Sequence, residues 1–447
     1  MKIWLSICCF LVFSTFSSAT PDTLWVPQPK RDIPLDSTNI QITINRAKPH
    51  DTIYFPKGVY RVGDGIKLET ADLTLIGANK GTIFQASTWQ EFAESNDDLD
   101  LKNEEIPSIV RKTGFHILAP RQTIRGFTFD QCWHGIVIGN MYEVEVSSKL
   151  NDNSDDSIIQ AIGGHLITDN KFTRSSNGMR VLVGGEELTL ITNNLFIDVY
   201  HAIGIHGENI HFTNNEILSE SPESVPIMYF PGEAINVNLG TLKGCKNTVI
   251  EKNLIEGSVI GIRVSHFPQD TKICEGVSII GNEISVKSHR LISKSLLSRI
   301  ADKDSVIVGL PIIIEKFTMP NDSTSNRKSS ITDIIVKDNL IQNAFGLGLK
   351  IDGAEQVIVQ GNIFKDIKVR QPFPGVSTGQ SANWPRANGS AIWISDDSFN
   401  NLIENNSYQN IEGVAITIEG DSNNVKEKNG SKIKDLGSGN TIIFEKN

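Results

Sequence analysis

The feature of this 447-residue chain that most constrains its fold is an Asn that recurs within one local pattern. An aliphatic or aromatic residue precedes the Asn by three positions, and another apolar residue follows it by two. The pattern is centred on Asn170, Asn194, Asn215, Asn253, Asn282, Asn339, Asn362 and Asn406. The repeat recurs every 21 to 24 residues or so, with longer spacings where insertions interrupt it, which is typical of stacked coils.

The segments between the Asn sites favour strands over helices. Each repeat has two short stretches of alternating apolar residues rich in Ile and Val, with no helical spacing between them. A leucine-rich repeat also carries one Asn per repeat, but its strands are dominated by Leu and lead into a helix or turn. We therefore predict an all-β, single-stranded right-handed parallel β-helix solenoid with a short N-terminal capping helix and loop insertions, its coils stacking at roughly 4.8 Å.

Asn suits the corner between two strands for two reasons. It tolerates the left-handed backbone conformation of a sharp bend, and its amide can hydrogen-bond to the Asn above and below. Both properties are predicted for the eight sites.

The length would allow two or three ordinary domains, but a solenoid grows in one dimension and forms a single domain. Residues 1–19 have the charged start, apolar core and small-residue end of a signal peptide, so we predict a secreted or periplasmic protein.

Residues 20–50 are predicted to be an extended segment followed by a capping helix over Asn39–Ala47, and residues 51–447 are predicted to form the β-helix. Insertions are expected near 86–112, 220–232, 285–330 and 370–388. Within the third, Arg290–Arg299 is a candidate helix and Pro311–Ile314 a candidate buried strand.

The charge balance limits the partners of the chain. The formal net charge is −10, which argues against nucleic acid or an anionic membrane as a general partner. After residue 19 no apolar run approaches the 18 or so residues of a membrane span, so no membrane insertion is expected. We expect a monomer.

Three cysteines follow the predicted signal peptide. Cys245 lies eight residues before Asn253, and Cys274 lies eight residues before Asn282. The two therefore occupy equivalent places on successive coils, and we predict a disulfide between them in an oxidising compartment. Cys132 is predicted to be a buried apolar residue.

The second strand of each coil predicts an exposed polar ridge. Its outward-facing residues are expected to be Arg180, Gly204, His206, Asn236, Asn238, Arg263, His266, Ile313, Glu315, Gly348, Lys350, Trp393 and Ser395. Arg180 and Arg263 would lie three coil rises apart, roughly 14 Å. Arg can clamp carboxylates and Asn can bind hydroxyls, so the ridge suits a polyanionic polysaccharide. The alternative is the ordinary polar surface of a soluble protein.

The stretch from Ala47 to Gly77 carries a resemblance. A helix ending in Ala-x-Pro, an Asp-Thr-Ile strand, a Pro-x-Gly-x-Tyr turn and a Leu-Thr-Leu-Ile-Gly strand resemble the start of many secreted β-helix proteins. These include pectate-lyase-like polysaccharide lyases, alginate epimerases and NosD-like carbohydrate-binding and sugar-hydrolase domain proteins. The resemblance implies the fold, and a lyase or epimerase acting on an acidic, uronate-containing polysaccharide. A glycoside hydrolase or a non-catalytic carbohydrate-binding protein of the same fold are the alternatives.

Uronate elimination needs a neutralised carboxylate, a base and an acid. The resemblance implies Ca²⁺ or Arg for the first role and Lys, Arg or His for the base. We predict His206 as the base, Arg180 or Arg263 on the carboxylate and His266 as the acid. Lys350 is the alternative base.

Further residues complete the predicted site. Asn236, Asn238, Trp393, Tyr200 and His201 are candidates for substrate binding. Asp396 and Asp397 are a candidate Ca²⁺ site, with a solvated turn as the alternative.

The competing functions make predictions of their own. A hydrolase would need two carboxylates about 5 to 9 Å apart, for which Glu233 and Glu315 are the candidates. A non-catalytic protein predicts unclustered charges on the ridge and no strongly perturbed pKa.

Overall fold

The computed structural model describes residues 21–30, 37–62, 65–79, 81–85, 113–139, 162–219, 233–238, 244–266, 273–286, 309–316, 331–369 and 389–445. The predicted signal peptide, the insertions near 86–112, 220–232 and 370–388, and the candidate helix Arg290–Arg299 lie outside these residues. The domain boundaries remain predictions.

The chain winds into coils that contribute strands to three stacks of parallel strands, called sheets 1, 2 and 3, of which sheets 1 and 3 are joined through the long strand His201–Thr213. Sheet 1 contains Thr23–Trp25, Thr52–Phe55, Thr74–Gly77, Thr123–Arg125, Leu166–Thr168, Thr189–Thr192, the second half of His201–Thr213, Cys245–Glu251, Cys274–Ile280, Ile331–Lys337, Ala354–Gln360, Leu402–Glu404, Asn424–Lys428 and Thr441–Glu445. Sheet 2 contains Gly58–Arg61, Thr82–Gln85, Phe127–Asp130, Lys171–Thr173, Leu195–Ile197, Glu216–Leu218, Leu254–Glu256, Glu283–Ser285, Leu340–Gln342, Ile363–Ile367 and Ser407–Ile411. Sheet 3 contains Ile66–Leu68, Thr113–Ile117, His134–Ile138, Asn177–Val183, the first half of His201–Thr213, Glu233–Val237, Ile260–His266, Leu310–Lys316, Leu347–Asp352, Ser390–Ile394, Ile416–Ile418 and Ile433–Asp435.

These sheets confirm the predicted parallel β-helix. The α-helix spans Ser37–Ile44, so it begins two residues before the predicted start and ends three before the predicted end. Its Ile40 and Ile44 are buried in the same core as the first coils, so the helix packs at the N-terminal end of the solenoid. The stretch 285–330 contains the sheet strand Leu310–Lys316. The candidate strand Pro311–Ile314 lies within that strand and is buried.

The eight repeated Asn residues form a continuous side-chain ladder between sheets 1 and 2. Each Nδ2 donates to the Oδ1 of the Asn in the next coil, at 2.9 to 3.2 Å, from Asn170 through to Asn406. The Oδ1 atoms also accept backbone N–H groups from the preceding coil. The predicted amide stacking is therefore confirmed.

The predicted left-handed conformation belongs to a different residue. Positive φ angles fall on the residue before each ladder Asn, namely Asp169, Asn193, Asn214, Lys252, Gly281, Asp338, Gly361 and Asn405, at 54 to 67°. The ladder Asn residues themselves do not have positive φ. The bend is completed one residue earlier, so that the Asn side chain turns into the interior, where it is at most 3 % exposed.

Small residues at the start of the sheet 3 strands accommodate an aromatic stack in the core. Phe129, Phe172 and Phe196 stack with ring centroids 4.9 and 4.7 Å apart. A Cβ at Gly135 would lie 2.6 Å from the Phe172 ring, and one at Gly178 would lie 2.6 Å from the Phe196 ring. The residue before each of these glycines can then turn its side chain outward, onto the outer face of sheet 3.

The predicted disulfide between Cys245 and Cys274 is present, with the two Cα atoms 4.5 Å apart. The two residues are register partners on adjacent strands of sheet 1, as the coil assignment requires. Cys132 is buried, as predicted, and its Sγ lies 3.7 Å from the backbone carbonyl oxygens of Phe84 and Asp130. Within the described residues no helix is both long enough and apolar enough to cross a membrane.

Candidate functional site

The predicted ridge residues lie in one register on the outer face of sheet 3. Direct strand pairing runs through Arg180, Gly204, Asn236, Arg263, Ile313, Lys350 and Trp393 on seven consecutive coils. A second row, two residues further along each strand, includes His206, Ser265, Glu315 and Asp352. Gly348 was wrongly placed on this face, because its Cβ position points to the ring of Phe364 in the core.

The prediction that the ridge is exposed is wrong. Glu233 is 9 % exposed, Arg263 and Lys350 are each 8 % exposed, and Glu315 is 5 % exposed. Buried charges on a protein need partners, because an isolated ion loses its hydration. An ordinary solvated polar surface does not explain this face.

The buried charges form one chain of alternating sign, which we call the ion-pair network. It runs Glu233–Arg263–Glu315–Lys350–Asp352. Arg263 Nη2 lies 3.0 Å from Glu233 Oε1, and Arg263 Nε lies 3.5 Å from Glu315 Oε1. Lys350 Nζ lies 2.9 Å from Glu315 Oε2 and 2.7 Å from Asp352 Oδ2. Three carboxylates therefore enclose two cations.

Two groups of the network have shifted pKa values. Burial raises the pKa of the Glu233 carboxyl above its ordinary value; Arg263 opposes this rise, while the neighbouring Glu315 adds to it. Asn236 Nδ2 donates to Glu233 Oε2 and favours the ionised form. Burial acts to lower the pKa of Lys350, but Glu315 and Asp352 outweigh it and the pKa is raised. At neutral pH Lys350 is thus a cation, and the raised pKa of Glu233 favours the protonated form of that carboxyl.

Arg180 and two histidines lie on the N-terminal side of the network. Asn177 Oδ1 accepts a hydrogen bond of 3.2 Å from Arg180 Nε. The side chain of Arg180 extends over Gly204, where an added Cβ would lie 3.0 Å from Arg180 Cδ. The charge of Arg180 acts on the pKa of both His134 and His201, as well as on that of Glu233.

Tyr200 and His201 form a contact pair beside Glu233. Their rings lie 4.2 Å apart in an edge-on arrangement. Burial raises the pKa of Tyr200, and burial together with Arg180 lowers the pKa of His201 to about 3. Both side chains are therefore neutral at neutral pH, and His201 Nδ1 is buried without a hydrogen-bond partner among the described residues.

His206 and His266 lie deeper than the sequence predicted. His206 is fully buried, and burial with the charge of Arg180 lowers its pKa to about 3. His266 is 3 % exposed, and burial lowers its pKa to about 4. Neither lies on an exposed ridge, and their predicted roles as base and acid remain predictions.

Trp393 and Asn238, two further candidates, are both buried. Trp393 is 3 % exposed, with Lys350 Nζ 5.8 Å from its ring centroid, and its Nε1 has no hydrogen-bond partner among the described residues. Asn238 is fully buried and donates to the backbone carbonyl of Ser265 on the next coil, an interaction that links the two coils.

Asp397 accepts a hydrogen bond from Ser395, and burial raises its pKa, which Asp352 and Asp396 raise further. Within the described residues no group of three or more His, Cys, Asp or Glu side chains is arranged to hold a metal ion. The Ca²⁺ site at Asp396 and Asp397 remains a prediction.

Sequence reasoning missed Asn177, which lies on this face with His134, His201 and Glu233. All four stand one residue before a small residue of the core-facing row: Gly135, Gly178, Ala202 and Ala234. The sequence signal that could have identified them is a polar residue followed by a Gly or Ala at the start of these four sheet 3 strands. Asp352 was also missed, although it follows Lys350 at the spacing of two that places side chains on one face of a strand.

Comparison of the sequence with protein-family models gave no match, and comparison with curated proteins gave none either. The structure is similar to solved right-handed parallel β-helix proteins. A hyperthermoactive exopolygalacturonase from Thermotoga maritima has 10% sequence identity and a TM-score of 0.49, over 86% of this chain and 94% of that chain. DFA-IIIase from Arthrobacter chlorophenolicus A6 has 12% identity and a TM-score of 0.46, over 91% and 94%. PfbA, a surface adhesin of Streptococcus pneumoniae, has 13% identity and a TM-score of 0.45, over 94% and 91%. At these values the similarity concerns the fold alone, and the function has to be argued from the site.

Proposed function

We propose that the protein is a secreted, polysaccharide-active enzyme that hydrolyses a glycosidic bond with Glu233 and Glu315. The observation that carries this proposal is that one guanidinium, that of Arg263, contacts both carboxylates. Because Arg263 contacts Oε1 of both residues, at 3.0 and 3.5 Å, these two oxygens are at most about 9 Å apart, which does not exceed the separation that glycoside hydrolases use. The two side chains come from coils separated by the coil of Arg263.

The two carboxyl groups have different environments, as acid and base roles require. Burial raises the pKa of the Glu233 carboxyl, which favours its protonated form, so it can donate a proton to the leaving oxygen of the glycosidic bond. Glu315 lies between Arg263 and Lys350, which stabilise its charge, and it serves as the base or the nucleophile. Asn236 orients Glu233, and Asp352 holds Lys350 beside Glu315.

The ion pairs also favour hydrolysis over elimination. Elimination within the ion-pair network would require Arg263 or Lys350 to bind a substrate carboxylate, but both cations already contact carboxylates of the protein. Exchanging these partners in a buried site would leave an acidic side chain uncompensated, which costs several kcal/mol, about 3 to 5 in measured cases.

Elimination by a lyase or an epimerase remains a second candidate because of one specific arrangement. Tyr200 and His201 are both neutral and in contact, and they lie near Arg180 and Glu233. In this mechanism Arg180 would neutralise the uronate carboxylate, and His201 or Tyr200 would move the proton beside it.

A purely carbohydrate-binding protein predicts scattered charges and no strong pKa shifts. The ion-pair network instead joins five charged side chains on consecutive coils, and the pKa of His201 is lowered to about 3. These observations support a catalytic site.

The test is to incubate the protein with polygalacturonate, alginate, chondroitin sulfate and ulvan, with and without Ca²⁺. New reducing ends and the ultraviolet absorbance of unsaturated uronyl products are measured together. Hydrolysis predicts new reducing ends without absorbance, and Glu233→Gln and Glu315→Gln should each lower the rate at least about 100-fold. Glu275→Gln, which removes a carboxylate from the exposed pair with Lys246, is the matched control and should leave the rate unchanged.

The other outcomes decide between the candidates. Growth of the unsaturated band would replace hydrolysis by elimination, with His201→Ala as the decisive variant. Retention of a polymer without any product would contradict both reactions and would indicate a binding protein.

A further inference from the structure

The most exposed large apolar side chain among the described residues lies on sheet 1, on a different face of the solenoid from the ion-pair network. Trp25 is 64 % exposed. Its ring stacks on that of Tyr54 in the next coil, with the ring centroids 4.9 Å apart and an angle of 20° between the two planes. Tyr54 covers one face of the indole, so the exposed area of Trp25 lies on the opposite face and on the ring edges.

The alternation of the strands holds the two rings in this position. Leu24 and Ile53 are register partners between them and face the core, where Ile53 is completely buried and Leu24 packs against it. Successive side chains point to opposite faces of a strand, so Trp25 and Tyr54 face outward. A ring that is already held in a stack loses little conformational freedom when a ligand binds. The free face of the indole is thus a preformed binding surface.

A column of hydroxyl groups, which we call the Thr column, runs beside the two rings. It consists of Thr residues at one register position on four consecutive strands of sheet 1, namely Thr23, Thr52, Thr74 and Thr123. With one coil rise between neighbours the column is roughly 14 Å long, which is about the length of two or three sugar units. These hydroxyls have no hydrogen-bond partner among the described residues, so they can bind a ligand.

The surface formed by the rings and the Thr column is uncharged. On the first three strands its residues are Thr23, Trp25, Thr52, Tyr54, Thr74 and Ile76. A sugar presents an apolar C–H face and a rim of hydroxyls, so an aromatic ring next to neutral hydroxyls matches both parts. A protein partner fits less well, because it needs an interface of about 1,000 Å² or more, and hydroxyls rather than apolar side chains border the indole here.

We propose that Trp25, Tyr54 and the Thr column form a second polysaccharide-binding site, separate from the proposed active site. A sugar ring packs on the free face of the Trp25 indole, and the hydroxyls of Thr23 and Thr52 bind the hydroxyls of the same chain. The inference goes beyond bond cleavage and rests on the proposed function only in taking a polysaccharide as the ligand.

The second site is too far from the proposed active site to share one short ligand with it. Six strands of sheet 1 lie between the strand of Trp25 and Cys245–Glu251, the sheet 1 strand that follows Glu233 in the chain. The separation along the stack is therefore roughly 34 Å. An oligosaccharide of a few units reaches one site at a time, whereas a polymer reaches both. Attachment at the second site then raises the effective concentration of the polymer at the first.

The binding test uses affinity electrophoresis in gels that contain polygalacturonate, alginate, chondroitin sulfate, ulvan or uncharged xylan. Proteins that carry Glu233→Gln are used, so that the polymer is not consumed, and Kd is compared with and without Trp25→Ala, Trp25→Phe or Thr52→Val. Phe444→Ala is the matched control, because Phe444 is also an exposed aromatic residue, 48 % exposed, but lies at the opposite end of sheet 1. Thermal unfolding checks that each variant is folded.

Trp25→Ala should raise Kd about tenfold for at least one of these polymers, because it removes the stacking surface. Thr52→Val keeps the shape of the side chain and should raise Kd about threefold, while Trp25→Phe should keep most of the affinity. Phe444→Ala should leave Kd unchanged. Stacking does not depend on charge, so the tenfold ratio should persist in about 0.5 M NaCl, where interactions between surface charges are screened.

The activity test uses the same substitutions with Glu233 intact. On a polymer that the wild type cleaves, Trp25→Ala should raise KM several-fold and leave kcat unchanged. On an oligosaccharide of about four units, which cannot reach both sites, kcat/KM should be the same for the wild type and for Trp25→Ala. An equal loss on the polymer and on the oligosaccharide would assign Trp25 a structural role and overturn the proposal.

Three further results would overturn it. They are the same Kd with and without Trp25→Ala, an equal loss of affinity in Phe444→Ala, and light scattering in which Trp25→Ala abolishes a dimer without changing polymer binding, which would make a second copy of the chain the occupant. If Trp25→Ala weakens binding but the wild type cleaves none of the polymers, the second site stands and the hydrolytic proposal fails.

Discussion

Asn406 Nδ2 donates a hydrogen bond of 3.0 Å to Oε1 of Glu427, so a carboxylate takes the place that an Asn holds in the preceding coils. The same Oε1 accepts the hydroxyl of Tyr408 at 3.0 Å, and the backbone N–H of Asn406 points to both oxygens. Glu427 is completely buried. The amide ladder therefore ends in a titratable group.

This ending makes the stability of the C-terminal coils depend on pH. Burial raises the pKa of Glu427 in the folded protein, although hydrogen bonds from Asn406 and Tyr408 oppose the rise. A carboxyl whose pKa is higher in the folded protein than in the unfolded chain stabilises the fold in its protonated form. This stabilisation is fully present below the pKa in the unfolded chain, about 4.5, and is lost as the pH rises through the pKa in the folded protein. We predict that the wild type loses more stability than Glu427→Gln between pH 4 and 8, as measured by thermal unfolding. A constant difference between the two proteins over this range would contradict the shift.

Removing one amide from the middle of the ladder should destabilise the protein strongly. Asn253 Oδ1 accepts the backbone N–H and the Nδ2 of Asn215, and its own Nδ2 donates to Asn282 Oδ1 and to the carbonyl of Phe212. Asn253→Ala leaves several of these buried groups without a partner, so a loss of about 2 to 4 kcal/mol in the free energy of unfolding is expected. Asn424→Ala, at an exposed strand position, should change stability by less than about 0.5 kcal/mol in the same denaturant titration.

Removing the central cation of the ion-pair network should also be costly. Arg263→Leu leaves Glu233 and Glu315 buried without the guanidinium that joins them, which predicts a loss of about 3 to 5 kcal/mol. Arg121→Leu, in the exposed pair with Asp72, should cost about 1 kcal/mol or less. Equal effects of the two substitutions in chemical denaturation would show that burial adds nothing at Arg263.

The hydrogen bond from Asn236 should set the pH range of activity. In the proposed mechanism Glu233 must be protonated, so kcat/KM falls as the pH rises through the pKa of Glu233. Because Asn236 lowers this pKa, Asn236→Ala should raise it and move the alkaline limb of the profile to higher pH. A purely structural role of Asn236 would lower the rate at all pH values without moving the limb.

The repeat could be predicted from the sequence because most coils carry the same pattern of an Asn between two apolar residues. Asn253 and Asn282 could be aligned without knowing what separates them, and that alignment placed Cys245 opposite Cys274 and Arg180 in one row with Arg263. The burial of Arg263 and Glu315 could not be read in this way, because the alternating pattern that puts them outside the core does not say whether solvent reaches them. The pairing of Lys350 with Asp352 and Glu315 depends on side-chain rotamers across two coils, and no local pattern encodes these.

The ion-pair network has a consequence for how this solenoid can change length in evolution. Repeat proteins commonly gain or lose whole repeats, but here neighbouring coils carry opposite signs in the order Glu233, Arg263, Glu315 and Lys350. Loss of the coil that bears Arg263 would bring two carboxylates together, and loss of the coil that bears Glu315 would bring two cations together. Within this stretch, adding or removing a single coil creates a contact between like charges, whereas adding or removing two coils does not. The network therefore allows the number of coils here to change only in steps of two.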